Sequence, residues 1–189
     1  MVYLILSNFF YALNNLLWKR ALFKFNLWHI ISSRSLLTRI VGFVVIITFY
    51  SDVINTIDFP LFLNIFIASV FGSLGLICMI HALKKGSLSQ LALFNLMIVF
   101  LVGSFLFFFE SLHFENYRVA SLLIISGFVL YIYQIKKKNT QQMSLHQLLL
   151  FSLMSIFFAG SILMHWYGLK KDIPVIFSLS IQEAVVFLS

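Results

Sequence analysis

The sequence predicts an all-α protein, a polytopic transmembrane helix bundle of about seven helices. Three observations lead there. The 189 residues are 61% hydrophobic and only 10% charged, against roughly 25% charged in a soluble domain. Apolar runs long enough for spanning helices alternate with short polar breaks. The basic residues gather in those breaks, as Lys19–Arg20, Lys84–Lys85, Lys136–Lys138 and Lys170–Lys171, where loops between membrane helices carry them. The runs exceed a barrel strand in length and lack its alternation, so helices and not strands are expected.

Seven segments qualify or nearly qualify. The first, about Val2–Leu22, has neither a basic leader nor a small-residue cleavage site, so it reads as a retained helix. The second covers about Trp28–Tyr50. The polar stretch SDVINTIDF follows, and Pro60 suits the first turn of a third helix, about Pro60–Leu83. After the break KKGS, a fourth runs about Leu88–Phe109. A fifth covers about Arg118–Ile135, and KKKNTQQMS is the most polar stretch and the natural linker. A sixth covers about Leu148–Leu169. KKDIP then breaks the pattern before a seventh, which starts near Ile173.

The net charge of +7 comes from these loop clusters, which excludes a nucleic-acid face. The single cysteine, Cys78, cannot form an internal disulfide or a cysteine-built metal site. His81 and His165 are isolated, without metal-ligand spacing. No metal or cofactor is expected, and no nucleotide-binding G-x-x-x-x-G-K-[ST] stretch occurs.

A weak internal repeat aligns helix one with helix six. At a shift of 147, Leu6, Phe10, Ala12, Leu16, Leu22 and Lys24 fall on Leu153, Phe157, Ala159, Leu163, Leu169 and Lys171. A repeat of five helices is odd in number, so the second copy enters the membrane inverted. The expected organisation is a first five-helix repeat over 1–137, a polar linker over 138–147 and a partial second repeat over 148–189. QEAVVFLS, Gln182 to Ser189, then stands where the second copy is interrupted.

The stretch ALKKGSLSQLALFNLMIVFLVGSFLFFFESL with RVASLLIISGFVLYIY resembles the third-to-fifth helix signature of the drug/metabolite transporter superfamily, in its EamA-like members. Ala82–Leu83, Ser87, Glu110 and Gly127 occupy its characteristic places, and Arg34 matches the arginine near the start of helix two. Met97 stands where a proline is frequent, and Ala120 where a glycine is. The resemblance implies a ten-helix carrier of two inverted halves, truncated here at its C-terminal side. It would move small organic metabolites, amino acids or drugs by alternating access.

Candidate path-lining residues lie on helices one and four. At 100° per residue, Ser7, Asn8, Tyr11, Asn14, Asn15 and Trp18 share an arc of about 120°. Amides are costly in hydrocarbon, so this face should look into the bundle or a wet cavity, as a wall of the solute path or as glue between helices. On helix four, Gln90, Met97 and Ser104 share one side with Ser87, Phe94 and Leu101, an adaptable apolar lining or ordinary packing. Arg34 and Arg39 open helix two, where headgroup contact competes with a gating role. Glu183 is the acid placed well inside a span. Glu110 reads as a boundary residue.

The leading expectation is thus a secondary transporter, or part of one, in the cell membrane, with a bacterial inner membrane as its location. Its partners would be the lipid bilayer and a small-molecule solute. A non-functional or oligomerising partial transporter, acting as a homodimer, is the alternative. A membrane-embedded enzyme is disfavoured because no Ser-His-Asp, H-E-x-x-H or paired-carboxylate set is visible.

Two arguments about orientation conflict. The first, third and fifth loops hold eight Lys and Arg and the other loops three, so the charge rule places the N-terminus outside. The resemblance implies an internal N-terminus. An Asn55→Cys variant in SDVINTIDF is expected to react with a membrane-impermeant maleimide from the outside alone. Labelling from the inside alone would reverse the charge-based orientation.

Overall fold

The computed structural model describes residues 2–24, 26–54, 57–109 and 143–188, with the positions 121, 122, 124–127, 129, 130 and 133 between them. The helices among them are α1 (Val2–Lys24), α2 (Leu27–Phe49), the single turn α3 (Ser51–Ile54), α4 (Phe59–Lys85), α5 (Leu88–Phe109), α6 (Leu145–Leu169) and α7 (Val175–Leu188). The described positions of the expected fifth helix, 118–135, are also helical. The rest of that segment lies outside the described residues. No strand occurs among the described residues, as the length of the apolar runs requires.

Each boundary has a local chemical cause. Asn26 caps α2, its Oδ1 accepting from Trp28 N at 3.3 Å. Asp58 caps α4, accepting from Leu61 N at 3.0 Å, and Pro60 fills the first turn, where a missing N–H costs nothing. Ser87 and Gln90 bond reciprocally through side chain and backbone, at 2.8 and 3.2 Å, a capping box at the start of α5. Ser144 and Gln147 repeat it at the start of α6, at 3.0 and 3.3 Å. The expected linker of 138–147 therefore ends earlier, because Ser144 nucleates a helix three residues before the apolar run begins. SDVINTIDF likewise contains α3 where only a break was expected.

Four segments are long and apolar enough to cross a membrane: Trp28–Phe49, α4, α5 and α6. α7 is apolar but shorter. α1 is fully helical but does not reach that apolarity, since Asn8, Asn14, Asn15, Lys19 and Arg20 interrupt it. The first segment thus forms the expected helix with a weaker claim to the bilayer core.

α4 and α6 form the centre and run antiparallel. Going up α4, Ile65 meets Gly168, Phe71 meets Phe157 edge-on at 5.7 Å, Gly72 meets Ser161, and Gly75 meets Phe158. Asn64 donates to the Met164 carbonyl at 3.0 Å. α5 lies parallel to α6, with Phe94 stacked on Phe151 at 5.2 Å and Ser155 Oγ donating to the Phe94 carbonyl at 2.9 Å. The apolar core gathers Leu76, Met79, Ile80, Leu83, Leu91, Ile98 and Met154 around these rings. α7 packs on α2 and α4. Large apolar side chains such as Phe49, Phe108 and Phe109 are each 74% exposed, as expected of a surface solvated by lipid.

Small residues set the helix spacing. A Cβ on Gly42 would overlap Ser180 Oγ and lie 3.2 Å from Ser180 Cβ, so α2 and α7 touch there almost backbone to backbone. Gly42→Val is expected to cost about 1–3 kcal/mol through overpacking. Thermal unfolding in detergent measures it, and Ser180→Gly in the same protein should recover part of the loss.

Candidate functional site

Polar groups concentrate where α2, α7, α6 and α4 meet. Arg34 lies two turns into α2, and its Nη2 donates to Glu183 Oε1 on α7, an ion pair between residues 149 apart in sequence. The Glu183 side chain is 7% exposed and the Arg34 side chain 38%, so the acid is the committed partner and the guanidinium keeps one side open. That guanidinium also stands 5.6 Å from the Trp18 ring centroid, which draws α1 into the cluster. Glu183 Oε2 and the hydroxyl of the fully buried Ser35 have no hydrogen-bond partner among the described residues.

The next residue on α7 turns the other way. Gln182 fits against Gly72 of α4, which sits close to Ser161 of α6, and neighbours His165. Ser178 and Ser180 are buried on α7, and Ser180 donates to the Ile176 carbonyl at 2.7 Å. Charge thus faces α2, and amide, hydroxyl and imidazole face α4 and α6. Satisfying such groups between helices is the usual condition for keeping them in a bilayer.

Those residues expected to line a solute path whose side chains are described do not converge. Asn15 and Trp18 are buried against the bundle, whereas Asn14 is exposed. A 120° arc is wider than the narrow contact α1 makes, so one flank must point away. The side chains of Asn8 and Tyr11 lie outside those described. Gln90 is used in the capping box of α5. Met97 packs on the apolar core, and Ser104 is half-buried. Gln90 and Ser104 are 14 positions apart on α5, or about 21 Å at 1.5 Å per residue, so they belong to different levels of the bundle.

Headgroup contact and a gating role compete for Arg34 and Arg39 in the sequence, and the structure separates the two residues. Arg34 meets Glu183, and Arg39 stands 5.0 Å from the Phe187 ring centroid. Two arginines in one span and a single glutamate in another were the available signal. Arg34 and Glu183 each looked ordinary until paired with the other. Among the described residues no three His, Cys, Asp or Glu side chains come together to hold a metal.

Fold and interior define a multi-pass α-helical membrane protein whose buried charge joins helices. No protein-family model matches the chain, and no solved structure matches it. Part of it is similar to the inner membrane-spanning protein YciB of Buchnera aphidicola subsp. Acyrthosiphon pisum, from strains 5A, Tuc7 and APS. The identity is 39% over 75 residues in each case, which covers 38% of this chain and 41% of the relative. The protein thus aligns with about two fifths of the length of the curated relatives it matches.

These findings correct the transporter reading. The likeness is to proteins named as inner membrane-spanning, and no family model matches the chain, that of the EamA-like carriers included. The secondary-transport function, its alternating access and the partial-transporter alternative do not hold. The physical reason is that the quoted pattern consists of apolar spans, small residues and a terminal glutamate. Helix packing in short-looped membrane proteins selects that pattern whatever the protein does.

Removing one partner of the buried pair tests its role. Arg34→Ala should cost up to about 3–5 kcal/mol because it strands the buried Glu183 carboxylate. Glu183→Ala should cost less, because the half-exposed guanidinium can extend toward the headgroups. Replacing both by leucine should restore much of the loss. Unfolding midpoints of the wild type and the three variants in one detergent decide the order.

Proposed function

We propose that the protein is a non-catalytic structural component of the inner membrane and that it works as a homodimer joined through α1. The inner-membrane location follows the name that the YciB relatives carry. The observation that carries the homodimer is the outward face of α1. Phe9, Phe10, Leu13 and Leu17 are exposed there, and the Asn14 amide is exposed among them.

An amide among lipid-facing side chains lacks the partners that water would give it. A helix of a second copy can supply them, at about 1–2 kcal/mol per interhelical hydrogen bond. Asparagine both donates and accepts, so two copies of Asn14 can bond each other across a two-fold axis. The inward face of α1 supports the same division. Lys19, Trp18 and Asn15 attach it to the bundle, while no described residue covers the opposite side.

A structural role also suits the use of the interior polar groups. Arg34, Glu183, Asn64 and Ser155 are engaged in contacts between helices. The proposal predicts two-step photobleaching of singly labelled protein in dilute liposomes, and a shift to one step in Asn14→Leu. A monomeric wild type, or a dimer indifferent to Asn14→Leu and Asn14→Ala, would remove α1 as the joint.

A further inference from the structure

Among the described residues, one end of the bundle carries positive charge without any acid. There the last turns of α1 and α4 are tied side by side by Lys19, whose Nζ donates to the Leu83 carbonyl at 2.6 Å and the Gly86 carbonyl at 2.5 Å. Around this tie Arg20, Lys24, Lys84 and Lys85 are exposed, and none forms an ion pair among the described residues. The described acids are elsewhere. Asp52 follows the far end of α2, Asp58 precedes the far end of α4, and Asp172 follows the far end of α6. Glu183 is held by Arg34.

The opposite end also has two lysines, and their setting differs. Lys170 and Lys171 lie over Trp166 and Tyr167, at 5.9 and 6.0 Å from the ring centroids, with Asp172 next in sequence. Positive charge there is mixed with negative charge and shielded by rings. At the basic end it is concentrated, and apolar side chains border it: Leu17 is 54% exposed and Trp28 is 48% exposed at the start of α2. Interfacial tryptophan, lipid-facing leucine and unpaired cations match the three layers of a phospholipid: its backbone region, its acyl chains and its headgroup.

We propose that this end binds anionic phospholipid, with Arg20, Lys24, Lys84 and Lys85 holding the phosphodiester and acidic headgroup while Lys19 keeps the two helix ends together. Lys19 is a positioning residue here, since backbone carbonyls occupy its ammonium. The surface would gather acidic lipid around the protein in the leaflet that the basic loops face. That leaflet is the cytoplasmic one by the charge rule, now that the opposing family argument has fallen. The proposal rests on membrane embedding alone and is independent of the α1 homodimer.

The experiment reconstitutes the whole protein in phosphatidylcholine vesicles with trace spin-labelled phosphatidylglycerol or spin-labelled phosphatidylcholine. It compares the motionally restricted fraction of each label by electron spin resonance. Several-fold selectivity for phosphatidylglycerol is expected at low salt, shrinking as salt screens the cations. Replacing Arg20, Lys24, Lys84 and Lys85 by glutamine should bring the ratio toward unity. Lys170→Gln with Lys171→Gln should leave it unchanged. If the fourfold variant does not fold by circular dichroism, Arg20→Gln/Lys24→Gln and Lys84→Gln/Lys85→Gln should each lower the ratio in part. Equal restriction of both lipids in the wild type would overturn the proposal. So would selectivity that survives loss of the basic end, or loss of selectivity on adding inorganic phosphate at constant ionic strength.

Discussion

The bundle depends on α4 being narrow. Ala68, Ser69, Gly72, Ser73 and Gly75 are buried along it, so it takes neighbours on more than one side without losing close contact. α6 uses Gly75 to seat Phe158, while Gln182 of α7 and Ser161 of α6 both approach Gly72. Lipid is as apolar as the side chains that meet across these helices, so the usual hydrophobic drive toward association is weak. Van der Waals fit and a few polar contacts must hold the helices together. A bulky residue at position 72 would displace two helices at once and carry the Arg34–Glu183 pair away with α7.

That pair gives the interior its character. A charge buried away from water is tolerated when a partner and further hydrogen bonds surround it, and its net contribution to stability is small compared with the cost of breaking it. Among the described residues Glu183 has only one of its two oxygens satisfied, so the contact works as a specifier of partners more than as a source of stability. α7 has two kinds of neighbour and two adjacent polar residues, Gln182 and Glu183, that point to different ones. A rotation of α7 by one residue would present the carboxylate to α4 and α6, where no cation waits among the described residues.

Most of the fold was legible in the sequence because membrane helices obey one dominant rule, the length of the apolar run. α2, α4, α5 and α6 appear within about three residues of their expected limits, and Pro60 and the KKGS break sit where turn chemistry puts them. What the helices do with their polar residues was less legible. Asn14 and Asn15 are neighbours in sequence with opposite fates, because the orientation of α1 is set by Trp18 and Lys19 docking on distant elements. Gln90 shares a helical side with apolar residues, and nothing in that periodicity reveals that Ser87 engages it as a cap. Arg34 and Glu183 were both noticed and never joined. A pairing across 149 residues leaves no periodic trace in one sequence, and a family resemblance built on apolar patterning could not supply it.

The separation of Arg34 from Glu183 has a consequence for how the protein is made. Synthesis proceeds at about 5–20 residues per second, so α2 leaves the ribosome on the order of ten seconds before its acid exists. During that interval the arginine has no carboxylate to meet and must wait near the lipid headgroups, within reach of its own stem. α4, α5 and α6 assemble in the meantime from contacts that need no charge. The arrival of α7 then draws Arg34 inward and closes α2 onto the rest, which makes a helix that enters the membrane early one of the last to be locked in place.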